Sequence, residues 1–176
     1  MINDVSGCTR RFIRGIGMIE ILITIVLLSI GFLAAARMQV EGMRFSQSAY
    51  YQSQAFFLAS DMMNRMRTNV RGVREGEYDD IFTAPDSQNP RCDLQACTPA
   101  QIASQDLYDW GGYFHPRQGN GNDNFIPALP SSEKIPAGAS VAPVSNNIYM
   151  VTLVWSEIVN GSIQEESMSV NFVLEQ

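Results

Sequence analysis

Histidine occurs once in this chain, at His115, cysteine occurs three times, and proline is absent before Pro85. Each scarcity excludes something. A structural zinc centre takes four closely spaced Cys, His or acidic ligands, and nothing ligand-like is spaced around His115. With Cys8 in a basic N-terminal segment, Cys92 and Cys97 remain as a C-x4-C pair. That pair predicts one small disulfide loop in an oxidising compartment, with a metal site as the competing reading. Catalytic signatures are missing as well: there is no G-x-S-x-G elbow, H-E-x-x-H helix, phosphate-binding glycine loop or dinucleotide fingerprint. The adjacent acids Asp79-Asp80 and Glu165-Glu166 diverge on any helix or strand, which suits solvated faces better than acid/base work. The chain is therefore read as a non-enzyme, with no cofactor and no metal expected. Cationic surface is scarce too. Setting aside Arg10, Arg11, Arg14 and Asp4 of the first fifteen residues leaves nine basic and seventeen acidic residues, a net charge of −8. Scattered arginines on an acidic remainder form no continuous stripe, so direct nucleic-acid binding has no support. The loop G-N-G-N-D-N at 119–124 carries one carboxylate, Asp123, and lacks the spaced acids of a calcium loop, so it reads as a solvated turn.

What the chain has in abundance is a run of apolar residues near its start. Residues 16–36 read IGMIEILITIVLLSIGFLAAA, with Glu20 as the single charge. A helix of that length reaches about 30 Å, the thickness of a bilayer's hydrocarbon core. The run exceeds the roughly 7–15 apolar residues of a cleaved signal peptide, so it is retained as an anchor. Arg10, Arg11 and Arg14 precede it, and by the positive-inside tendency they hold that end in the cytoplasm, although Arg37 and Arg44 follow the span. The rest of the chain is then expected outside, where a disulfide persists. Glu20 is the anomaly, because a carboxylate near the centre of a spanning helix costs about 2.5–3.5 kcal/mol and calls for a partner or a task. The bland alternative is a glutamate one turn from the helix end that snorkels to water.

The succession R-G-I-G-M-I-E-I-L-I-T-I-V-L-L-S-I, from Arg14, resembles the leader and anchor of type IV prepilins. The resemblance implies removal of residues 1–15 by a prepilin peptidase that cuts between Gly15 and Ile16, N-methylation of Ile16, and an acidic residue, Glu20, at the fifth mature position. That family most often has Phe where this chain has Ile16. Independently of the family, four residues separate Ile16 from Glu20, about 6 Å along a helix. A neighbouring helix displaced by that distance brings its ammonium group level with this carboxylate. The pair compensates the burial of Glu20 only when subunits are in register, which makes it a docking signal.

Without proline before Pro85, the helix is expected to continue over 16–69, about 80 Å, with 16–36 in lipid and 37–69 beyond it. Phe56, Ala59, Met63 and Met66 recur at spacings of three and four, widened by Ala55, Leu58 and Met62, and this face is expected to cover a sheet. The methionines read as gap-fillers of a packed face in preference to a binding groove. Asn69 and Gly72 supply the stop signal. The block SQSAYYQSQAFFLASDMMNRMRTN, Ser46 to Asn69, is similar to the PilV group of minor pilins, the type IV pilus modification proteins, with its Q-S-A-Y, L-A-x-D-M and R-M-R-x-N succession. The order Cys92, Cys97, Asp106-Leu107, Trp110, Leu129-Pro130 resembles the head of the same group.

Residues 70–176 form the expected head, mostly loop-like up to Asn147 apart from one helix. Thr98-Pro99-Ala100-Gln101 combines an N-cap, proline at the first helical position and a capping-box glutamine, and Ala103, Leu107, Trp110 and Phe114 mark the buried face, with Gly111 and Gly112 able to end it. A hairpin is expected over 147–175, turning at Asn160-Gly161, with Tyr149, Val151, Leu153 and Trp155 facing inward. This turn sets Leu153 opposite Met168, Val151 opposite Val170, Tyr149 opposite Phe172 and Thr152 opposite Ser169. Two strands alone are marginal, so a further strand is expected near 138–144.

The fold expected is α+β: a long membrane-spanning N-terminal helix packed on a small antiparallel sheet with a C-terminal hairpin, the type IV pilin arrangement. The resemblance implies a minor pilin that assists pilus initiation and assembly and supports piliation, twitching motility or adhesion. Its partners would be prepilin peptidase, other minor pilins, the major pilin, an inner-membrane assembly platform and lipid, and its location the inner membrane of a Gram-negative cell, then the pilus. The alternatives are a minor pseudopilin of type II secretion and a monomeric anchored adhesin or binding module. The prepilin reading predicts a mature chain of 161 residues beginning at Ile16, checked by mass spectrometry of the isolated protein; an intact Met1, or a cut near Ala36, is the outcome that contradicts it.

Overall fold

The computed structural model describes residues 17–85, 87–116, 125–145, 147–159 and 161–174. The chain divides into two compact units, 1–45 and 46–176. The first helix, α1, Met18–Thr68, contributes to both. Within the first unit its side chains are exposed on every side, from Met18, Ile19 and Leu22 to Met38 and Met43. Its most apolar 18-residue window has a mean hydropathy of 2.5 and no buried residue, so α1 is long and apolar enough to cross a membrane. Two hydroxyls in this stretch are satisfied within the helix, Thr24 donating to the Ile21 carbonyl at 2.8 Å and Ser29 to the Ile25 carbonyl at 2.7 Å. A segment surrounded by hydrocarbon needs that internal satisfaction.

In the second unit α1 buries one stripe, Ala55, Leu58, Ala59, Met62 and Met66, with Tyr51 and Met63 packed at its margin. Phe56 departs from the expected face and is 53% exposed. The reason is angular. At about 100° per residue the stripe centres on Ala55, Met62 and Met66, which leaves Phe56 about 100° round the helix and Phe57 about 160° away.

The helix ends at Thr68, one residue earlier than the stop signal suggested. Asn69 turns out of it and caps a second helix, α2, Val70–Arg74, its side chain accepting from the Gly72 N–H at 3.2 Å. Gly72 therefore acts by close approach: a Cβ there would lie 2.5 Å from the Asn69 amide nitrogen. The loop-like reading of 70–147 also missed β1, Ile81–Phe82. Five helical and two extended residues are too short to carry a period.

Helix α3, Pro99–Gly111, begins as its sequence indicates, with the reciprocal capping box between Thr98 and Gln101 and with Gly112 at its end. Its Trp110 has no exposed surface, donates its indole N–H to the Leu58 carbonyl of α1 at 3.0 Å, and meets Phe114 edge-on. Three more strands follow, β2 (Gly138–Ser145), β3 (Ile148–Val159) and β4 (Ser162–Val173), in an antiparallel sheet of order β1-β2-β3-β4. The β3–β4 register is the expected one in all four named pairs, and Thr152 and Ser169 join their hydroxyls at 2.9 Å on the outer face. Gly161 takes the left-handed conformation at φ +80 that a two-residue hairpin turn requires; Asn160, its expected companion, lies outside the described residues. The third strand expected near 138–144 is β2. Thr83 lengthens the short β1 contact, its N–H donating to the Ala139 carbonyl and its hydroxyl oxygen accepting from the Ala139 N–H at 3.0 Å.

The core of the second unit gathers the α1 stripe, Tyr78, Trp110, Phe114 and Leu129 with Val141, Val151, Leu153, Trp155 and Phe172 of the sheet. Met62 has no exposed surface. Met62→Ala is expected to destabilise the head by about 2–5 kcal/mol, the range for truncating a buried aliphatic side chain, read from denaturant unfolding of the detergent-solubilised chain. The outward-facing Phe57→Ala is expected to change stability by less than about 0.5 kcal/mol in the same measurement.

Candidate functional site

Of the residues singled out by sequence, Arg10, Arg11, Arg14, Gly15, Ile16 and Cys8 lie outside the described residues, as does the 119–124 loop. Glu20 falls in the first turn of α1, its N–H donating to the Gly17 carbonyl at 3.0 Å. Its side chain is exposed and has no cationic partner among the described residues. The next basic residue described, Arg37, lies seventeen positions on, about 25 Å along the helix. The positive end of the helix dipole favours an acid in this turn. That interaction is weak where water screens it, and it leaves the carboxylate free for another group.

Cys92 and Cys97 are joined by a disulfide with a Cα separation of 5.6 Å. The loop they close leans on α3: the Cys92 N–H donates to Gln105 Oε1 at 3.3 Å, while Gln95 donates to the Pro90 carbonyl at 2.7 Å. Closing so short a loop stabilises the fold by about 2 kcal/mol through the unfolded chain. Among the described residues no group of three or more His, Cys, Asp or Glu is placed to hold a metal ion.

Sequence reasoning missed a polar junction between the C-terminal part of α1, α2 and α3. Tyr78, without exposed surface, donates its hydroxyl to Asp106 Oδ2 and accepts from Asn69 Nδ2 at 3.1 Å. Asn69 also donates to the Pro99 carbonyl at 2.8 Å, so one amide side chain caps α2, meets α3 and orients the tyrosine. Arg65 completes the junction, donating to Asp61 at 3.0 Å and Asp106 at 3.4 Å, with Asp109 at 3.8 Å. Burial pushes the Asp106 carboxyl up from the usual carboxylate range, while the Tyr78 hydroxyl and the Arg65 charge hold it back. Tyr78 is raised in turn, by burial first and then by its bond to Asp106. Among the described residues no buried side-chain nitrogen or oxygen lacks a partner. The junction is a closed, satisfied network that fixes helix ends. Its trace in the sequence is Asp106 itself, a carboxylate between Ala103 and Trp110 on the face of α3 that should be apolar.

The paired acids behave as single residues. Asp79 accepts from the Tyr149 hydroxyl at 3.1 Å, while Asp80 is exposed with φ +53. Glu165 and Glu166 fall on opposite faces of β4. Set against known protein families, characterised proteins and solved structures, the chain matches none.

Burial, then the neighbouring Asp79 charge and bond, push the Tyr149 hydroxyl up to about 12. A raised folded-state value means that this contribution to stability is whole below the ordinary tyrosine value near pH ~10 and is lost as pH climbs through the folded value. Denaturant midpoints measured from pH 9 to 12 are expected to fall with rising pH, and to fall less steeply in Tyr149→Phe; an unchanged slope in the variant would contradict this assignment.

Proposed function

We propose that the chain is a minor pilin: a single-pass subunit of a type IV pilus, cut between Gly15 and Ile16, held in the inner membrane by α1 and carrying its head on the periplasmic side. The observation that carries this reading is an exposed, apolar stretch at the start of α1 with one carboxylate, Glu20, in its first turn and no basic residue among the described residues before Arg37. A helix exposed on all sides needs lipid or neighbouring helices around it. A carboxylate in that setting is stabilised by a cation brought from outside the chain.

The new N-terminal amine of an adjacent subunit supplies that cation. Set about 6 Å along the helix axis, an adjacent copy or a related pilin places its ammonium group level with Glu20. The pair forms only in the correct stagger, so it selects register as the subunit leaves lipid for the filament. Helix–helix packing supplies most of the contact area, and the charge pair discriminates among its registers. The disulfide accords with a periplasmic head, because such bonds persist in oxidising compartments. The partners that follow are prepilin peptidase at the leader, other minor pilins and the major pilin along α1, and an inner-membrane assembly platform.

Glu20→Gln is the test. Removing one member of a buried pair costs about 3–5 kcal/mol, a hundredfold or more in the docking equilibrium. The variant is expected to be inserted and cleaved as the wild type is, and to disappear from sheared filaments probed by immunoblot. Incorporation at the wild-type level would remove the proposed role of Glu20.

A further inference from the structure

The two edges of the sheet are built differently. At one, β1 is two residues long, and β2 beside it carries Pro143 and a register shift between Pro143 and Ser145. Short strands, proline and irregular register keep an edge from pairing with another chain. At the other edge, β4 has none of these: it runs twelve residues in unbroken register with β3, without proline, glycine, lysine or arginine. Among the described residues nothing pairs with its outer side. In an antiparallel pair alternate residues turn their N–H and C=O groups away from the neighbouring strand, so about half of β4 presents them to the outside.

The charge on this hairpin has one sign. Glu157 on β3 and Glu165 and Glu166 on β4 are its ionisable acids, and neither strand contains a basic residue. Glu165 stands opposite Ser156 and Glu166 opposite Trp155, so neither faces a cation across the pair. Being adjacent, they project to opposite faces of the sheet. A strand added at this edge therefore meets a carboxylate on each of its own faces.

We propose that the free edge of β4 accepts an extended segment of a different polypeptide, one carrying Lys or Arg where it passes Glu165 and Glu166, as a fifth strand of the sheet. Backbone bonding supplies the general attraction and the two carboxylates select the partner. A second copy of this chain is the poorer occupant. Its β4 brings two more acids and no cation, and in every long antiparallel register that keeps the inward faces together Glu166 meets Met168, Val170, Phe172 or another Glu166. Its other edge offers two residues and a proline. Acids on an edge strand discourage neutral and acidic strands, this chain's own included, while a basic strand turns the same groups into cross-strand pairs. The surface goes beyond the filament reading and does not depend on Glu20.

The probes are two twelve-residue peptides of alternating Thr and Val, N-methylated along one edge to prevent self-pairing, with Lys-Lys or Glu-Glu at the centre. Binding to the full chain in detergent is read by fluorescence anisotropy at low and high salt, and its location by amide exchange along β4. The Lys-Lys peptide is expected to bind about tenfold more tightly than the Glu-Glu peptide at low salt, from two opposite-charge pairs, and to slow exchange in β4. Glu165→Lys with Glu166→Lys should invert the preference, and Glu165→Gln with Glu166→Gln should abolish it, each variant first checked for native near-ultraviolet dichroism. Equal affinity for both peptides, no slowing in β4, or no inversion overturns the proposal. So does protection of β4 that grows with protein concentration without peptide, which would assign the edge to a second copy. Loss of filament incorporation is read separately through Glu20→Gln, so the two readings fail by different observations.

Discussion

Met62 and Met66 of α1 share one cluster with Trp110 of α3 and with Val151, Leu153 and Trp155 of β3, and all six are buried to within a few per cent of their surface. Most of the head's other packing depends on that contact. A four-stranded sheet whose inner row is Tyr149, Val151, Leu153 and Trp155 has an apolar face to cover, and the helix stripe of Ala55, Leu58, Ala59, Met62 and Met66 belongs to the core that covers it. Alanines in the stripe permit close approach, and methionines fill the irregular space left by aromatic neighbours.

A packed stripe leaves the rotation and ends of the helices to be fixed, and polar groups do this. The Trp110 indole reaches the Leu58 carbonyl, and Asn69, Tyr78, Asp106 and Arg65 close the ends of three helices against one another. Burying Tyr78 and Asp106 costs desolvation, offset only because each finds a directional partner.

Helix α1 follows two different rules along its length. Over its first part apolar residues surround the helix, while from Ala55 to Met66 they form a stripe. The first pattern needs a surrounding apolar medium and the second a single apolar neighbour. Glu20 stands out because of this difference, one carboxylate among apolar side chains being conspicuous in a way that Glu165 and Glu166 on β4 are not. Those two stand at an edge without the short strand, the proline or the register shift found at the opposite edge.

The sequence by itself determined the features carried by local periodicity and local capping. These were the apolar run with its single acid, the capping box at Thr98, the hairpin register about Gly161 and the C-x4-C loop. Each depends on residues close together in the chain or on a strict period of two, so the signal is complete before the chain folds. Only the tertiary structure decided which way the α1 stripe is centred, turning Phe56 outward, because a shift of one residue moves a helix face by about 100°. It alone placed α2 and β1, which are too short to show a period, and made β4 an edge. It also assembled the junction of Arg65, Asn69, Tyr78 and Asp106, whose members lie up to forty-one residues apart. Asp106 on the apolar face of α3 is the one trace along the chain, and it does not say which groups it meets; a buried polar network is specified by the distances between elements, and those exist only once the apolar faces have packed.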